Sequence, residues 1–125
     1  LNPPRRSIQS DLNENSLVLL LRSASTTALF TGDIGKTTEA GLEVGLLNIL
    51  KVPHHGSKYS SSPKFLKALK PKIAVIQVGE NRFGHPTKDA LKRLENVGAK
   101  IFRNDEDGTI QIISDGKVLK ITKIK

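Results

Sequence analysis

No cysteine, methionine or tryptophan occurs in the 125 residues, and one tyrosine and four phenylalanines are the whole aromatic complement. Without thiols there are no disulfides, thiolate metal sites or cysteine nucleophiles, which leaves histidine and carboxylate as metal ligands. So few aromatic rings argue against a base-stacking platform of the single-strand-binding type. No apolar run approaches the roughly 18 residues of a membrane helix, and no leader precedes a small-residue cleavage site. The segment itself therefore reads as soluble, with no membrane contact of its own. A chain that starts at Leu1 and contains no methionine reads as an excised or processed piece of something longer. Glycine-rich nucleotide motifs and a phosphate-loop lysine are lacking as well. Asp105-Glu106-Asp107-Gly108 lacks the later glutamate of a calcium loop and reads as a turn, and Ser60-Ser61-Ser62 has no nucleophile-elbow context.

Acidic residues are also in deficit. Twenty Lys and Arg against twelve Asp and Glu give a net charge of +8. Such an excess concentrates polyanions by long-range attraction, which makes nucleic acid the favoured class of partner. The length suits one compact core, so residues 1–125 are read as a single domain.

After a basic lead-in at Leu1 to Arg6 and a polar turn, apolar runs predict strands over Ser16–Arg22, Thr27–Thr31, Leu47–Val52 and Ile73–Val78. A weak helix capped by Thr37 or Thr38 is expected over Glu39 to about Gly45. Ser62 followed by Pro63 opens a second helix, and Thr87 opens a third that stops at Gly98. Lys100–Arg103 is a further strand, and Thr109–Ser114 with Val118–Ile124 form a hairpin about Asp115-Gly116. The expected architecture is α/β, a mixed β-sheet with helices on one face.

All three histidines lie where a strand runs out into a turn, in Val52-Pro53-His54-His55-Gly56-Ser57 and Phe83-Gly84-His85-Pro86, and Asp33 holds the same kind of place in Thr31-Gly32-Asp33. Loops carried by a rigid sheet are where reactive groups usually lie. A carboxylate after a buried strand suits a hard metal ion. In an extended segment, adjacent histidines point to opposite sides, so one of His54 and His55 is expected to be a ligand and the other to face substrate or support the site. Pro86 biases His85 toward an extended backbone, from which its ring can serve a phosphate oxygen.

Taken together, Leu1-Asn2-Pro3-Pro4, Asn15-Ser16-Leu17-Val18, Phe30-Thr31-Gly32-Asp33, Leu50-Lys51-Val52-Pro53-His54-His55-Gly56-Ser57, Val78-Gly79, Asn81, Gly84-His85-Pro86 and Asp107-Gly108-Thr109-Ile110 resemble the metallo-β-lactamase-like domain of the ComEC/Rec2 DNA-uptake proteins. The resemblance implies an αββα sandwich holding Mn²⁺ or Zn²⁺. It also implies a nuclease that degrades one DNA strand during transformation, in a membrane-associated parent with this domain on the extracytoplasmic side. On the same ground Asp33 and His54 correspond to metal ligands, with His55 open to that role. His85 corresponds to the catalytic contact with phosphate, and His55, Ser57 and Asn81 to substrate-binding positions. The superfamily's His-x-His/Asp-x-Asp-His turn does not occur in this sequence. The resemblance therefore covers the carboxyl-terminal half of the sandwich, implies an inactive fragment lacking its amino-terminal half, and leaves an exposed apolar sheet face that a homodimer could cover. Competing readings are a noncatalytic basic module that holds nucleic acid, and a metallo-hydrolase acting on a small molecule.

Overall fold

Among the described residues five of seven strands form one sheet, because their apolar side chains fall into register across it. In the computed structural model, which describes residues 11–125, the chain runs β1 (Leu19–Ser23), β2 (Thr26–Phe30), α1 (Lys36–Gly41), β3 (Ile49–Lys51), α2 (Pro63–Leu69), β4 (Ile73–Ile76), α3 (Lys88–Asn96), β5 (Lys100–Arg103), α4 (Asn104–Asp107), β6 (Thr109–Ser114) and β7 (Leu119–Ile124). The basic lead-in and the motif Leu1-Asn2-Pro3-Pro4 lie outside the described residues. β1 pairs antiparallel with β2, and β2 to β5 pair in parallel in chain order. Leu20, Leu29, Leu50, Ala74 and Ile101 are register partners across all five strands. That row belongs to the core shared with Phe65, Leu66 and Leu69 of α2 and Leu94 of α3. Fully burying a leucine side chain stabilises by about 1.5–3 kcal/mol, and Leu29, Leu50, Leu66 and Leu94 are all completely buried.

The architecture is thus α/β with a mixed sheet, as the alternation of elements predicts. Both side-chain caps form where the sequence places them: Ser62 Oγ accepts from Phe65 N, and Thr87 Oγ1 accepts from Ala90 N. The first helix differs from expectation. It begins at Lys36 after Gly35, with no side-chain cap of its own, because the Thr38 N–H is taken by the buried Glu14 carboxylate at 3.0 Å and the Thr38 hydroxyl by the Glu14 carbonyl. A distant carboxylate does the work expected of a local threonine.

β6 and β7 form a separate two-stranded sheet, closed at a turn where Asp115 Oδ1 accepts from Lys117 N and Val118 N. Thr26 and Ser114 share a hydroxyl hydrogen bond and Ser25 N donates to Gly116 O, which ties the hairpin to the β1–β2 turn. Between the hairpin and the second face of the sheet lies a cleft of about 430 Å³, lined by Phe30, Lys51 and Val75 on one side and Ile110 and Ile112 on the other. Among the described residues no helix is long and apolar enough to cross a membrane.

Candidate functional site

Because β2, β3 and β4 are parallel, their carboxyl ends open on one edge of the sheet, and three turns leave that edge side by side. Edges of this kind are where open α/β sheets hold ligands. The first turn is fixed by Thr31, whose buried hydroxyl donates to the Lys51 carbonyl at 2.7 Å, and by Asp33 N, which donates to Ser16 Oγ at 3.1 Å. Gly32 takes φ +57°, and a Cβ there would fall 2.7 Å from Ser16 Cβ.

The second turn is not the extended segment that the sequence suggests. Pro53–Gly56 curls into a 3₁₀-like turn in which His54 (φ 48°, ψ 46°) and His55 (φ 54°, ψ 25°) are both left-handed. Each such residue costs roughly 1–3 kcal/mol and persists only where its surroundings over-determine it. Here they do. The Gly32 carbonyl accepts from His54 N at 3.1 Å and from Lys51 Nζ at 2.8 Å, and Ser57 N donates to the His54 carbonyl. The two rings therefore do not oppose each other across a strand; their centroids are 6.3 Å apart.

The third turn, after β4, is held by Asn81, whose amide makes four bonds within its own loop. Nδ2 donates to the Gly79 and His85 carbonyls, and Oδ1 accepts from Phe83 N and His85 N. The turn joins the second through Gly56, whose carbonyl accepts from both Thr87 N and Thr87 Oγ1. The His85–Pro86 peptide is cis.

These turns bring Asp33, His54, His55 and His85 together. His55 Nε2 is 3.5 Å from Asp33 Oδ1, and the His54 and His85 rings meet edge to face at 5.5 Å. His55 Nδ1 lies 2.6 Å from the Gln77 carbonyl. A carbonyl only accepts, so Nδ1 carries the hydrogen, and in the neutral ring the bare Nε2 faces the carboxylate. Two acceptors facing each other need a proton or a cation between them. Partial burial, then the neighbouring His54 and His55, hold the His85 pKa below the ordinary histidine value, with Asp33 opposing. Ser57 is buried, its hydroxyl accepting from Tyr59 N, so Ser57 and Asn81 shape the turns from within.

Two side chains that brace the segments around the cluster escape sequence reasoning. Lys51, half-buried on the second face of the sheet, reaches back to the Asp33 turn, and burial lowers its pKa while Asp33 raises it. Its only signal is a lone lysine in the apolar run Ile49-Leu50-Lys51-Val52. Arg93 of α3 donates to the carbonyls of Lys58, Ser60 and Ser61, and Ser60 Oγ donates to the Ile34 carbonyl beside Asp33. Nothing in the sequence marks Arg93.

No protein-family profile matches the chain. It is 38% identical over 104 residues, 79% of its length, to "ComE operon protein 3" of Bacillus subtilis. It is 36% identical over 117 residues, 89% of its length, to "Competence protein ComA" of Neisseria gonorrhoeae. To "Recombination protein 2" of Haemophilus influenzae it is 28% identical over 103 residues, 80% of its length. The matched segment spans only 13% to 17% of these relatives.

Proposed function

From a likeness to competence and recombination proteins that covers about four-fifths of the chain or more, we infer a segment of a DNA-uptake protein of the ComEC/Rec2 family, and propose that it forms part of a metallo-β-lactamase-like nuclease domain. The observation that carries this reading is the convergence of Asp33, His54, His55 and His85 from three separate strand exits. Asp33 and His55 suit Mn²⁺ or Zn²⁺: an imidazole oriented by a backbone carbonyl and aimed beside a carboxylate is the usual arrangement of a ligating histidine. The ring orientation favours His55 over His54 as the ligand. Among the described residues no group of three or more histidines and carboxylates could hold a metal ion, so this is part of a site, and the remaining ligands come from elsewhere in the longer protein. When bound, the ion supplies Lewis-acid stabilisation at a phosphoryl oxygen. Water would attack phosphorus as the bond to the leaving oxygen breaks, its proton passing to solvent; His54 would hydrogen-bond a phosphate oxygen and His85 would give the leaving oxygen its proton, while Ser57 and Asn81 act through the turns they hold.

Calorimetric titration with Mn²⁺ tests the reading. The chain alone binds weakly and degrades no DNA, and Asp33→Ala or His55→Ala weakens binding at least about tenfold. In the longer parent each substitution removes strand degradation. Unchanged Mn²⁺ affinity in both variants would overturn the assignment, and retained strand degradation in the parent would favour a noncatalytic basic module.

Leu19, Leu21 and Phe30, exposed at 53%, 56% and 46%, lie on the sheet face turned away from α2 and α3. We assign that face to the partner layer of the sandwich in the longer protein, and to a second copy when the chain is alone. Sedimentation at tens of micromolar is expected to report a dimer; a monomer throughout that range would remove the self-pairing.

A further inference from the structure

We propose that Phe83 is a stacking surface for an unpaired nucleobase, set beside the histidine cluster so that a strand whose phosphate reaches that cluster lays a base on the ring. The proposal rests on the reading of the site as one for DNA phosphodiesters.

A chain with four phenylalanines places Phe65 and Phe102 in its interior, yet leaves Phe83 81% exposed. Single exposed apolar residues are ordinary on protein surfaces. Three observations separate this one from them. The ring is not at the tip of a loose loop: its own backbone N–H is bound by Asn81 Oδ1, and the same amide pins His85 on the far side. It lies nearly parallel to the His85 imidazole, at 26° and 5.7 Å between centroids, so the cluster holds it from one side. It also lines a shallow depression of about 210 Å³ together with His55, His85 and Glu80.

The chemistry of that depression selects its occupant. Glu80 disfavours phosphate there, so the group that enters is the uncharged part of a nucleotide, while the phosphate is drawn toward the histidines and the neighbouring Arg82. In a duplex each base face is covered by its neighbours. An unpaired or terminal base has a free face, and stacking accepts any base, which suits strand degradation without sequence preference.

The chain has no tryptophan, so Phe83→Trp installs a sole indole, excited apart from Tyr59, at an exposed position. In EDTA, where neither metal nor turnover takes part, a short oligothymidylate is expected to quench that emission. An abasic strand with the same number of phosphates is expected not to. By anisotropy, Phe83→Ala should lose roughly 5- to 150-fold in single-strand affinity, Phe83→Tyr should keep it, and affinity for a closed circular duplex, which has no terminal base, should be unchanged in all. Equal quenching by the abasic strand, or single-strand affinity indifferent to Phe83→Ala, would overturn the stacking role. An apolar protein segment as the true occupant gives that same indifference. Because the titration excludes metal, failure of the Asp33 and His55 assignment leaves this result standing, and the reverse also holds.

Discussion

Replacing Gly56 with alanine should cost about 2–4 kcal/mol of folding stability and pull the histidine cluster apart. Gly56 sits at φ +81°, where an L side chain is strained, and a Cβ there would meet Pro86 Cβ at 2.6 Å and Pro86 Cα at 3.0 Å. Neither atom is the end of a flexible side chain, so the third turn itself must move. Gly56 is also the joint at which the second and third turns meet, through the two bonds from Thr87 to its carbonyl. Moving Pro86 shifts the adjacent His85 away from His54. Gly79→Ala is the matched control: its Cβ meets nothing within 4 Å and its φ is not positive, so stability should change by no more than about 0.5 kcal/mol. Urea denaturation measures the first effect. Imidazole proton shifts of His54 and His85 measure the second, moving in Gly56→Ala and staying put in Gly79→Ala. Equal midpoints for the two variants would show that the joint is slack and the turns are held otherwise.

The turns that meet at Gly56 also show what a reading of residues alone can reach. Strand exits bearing Asp33, His54 and His85 are visible because apolar runs end at glycine and proline. The Ser62 and Thr87 caps are visible because their partners lie three residues away. The left-handed pair His54 and His55 is not visible, since its determinants are the Gly32 carbonyl and the Gln77 carbonyl, just past the ends of the neighbouring strands β2 and β4. Those same contacts, which no local pattern encodes, turn the ring of His55 rather than His54 toward Asp33. Phe83 is likewise beyond a residue count, because what holds it exposed beside His85 is the Asn81 amide within its loop. The first helix is misjudged for a related reason, because the buried carboxylate that takes its Thr38 N–H is Glu14, far back along the chain, and its own buried Glu39 reaches out to the distant Ser61 and Ser62.

Of these two buried carboxylates Glu39 is the more consequential, and Glu39→Ala should destabilise the fold by about 2–4 kcal/mol. Its side chain is almost wholly buried, at 2% exposure, where Oε2 accepts from Ser62 N at 3.0 Å and Oε1 accepts a short bond from Ser61 N. Alanine takes away the partner that both N–H groups share. The pH dependence follows from the carboxyl itself. Burial raises its pKa above the ordinary 4.5, the Ser62 and Ser61 N–H groups oppose the shift, and Glu14 adds to it. A carboxyl whose folded pKa is raised gives stability that is fully present below the unfolded value and is lost as pH climbs through the folded value. The difference between wild type and Glu39→Ala should therefore be largest below pH 4.5 and shrink toward neutrality. Denaturation across that range in both proteins checks it; a loss under about 1 kcal/mol, or one independent of pH, would mean that water satisfies the two amides after Glu39 is gone. The effect should reach the site, because the loop that Glu39 anchors also carries Ser60, bonded to the Ile34 carbonyl beside Asp33, and the carbonyls gripped by Arg93. Loosening that loop frees Asp33 to drift from His55, so Mn²⁺ affinity in Glu39→Ala should fall even under conditions where the variant remains folded.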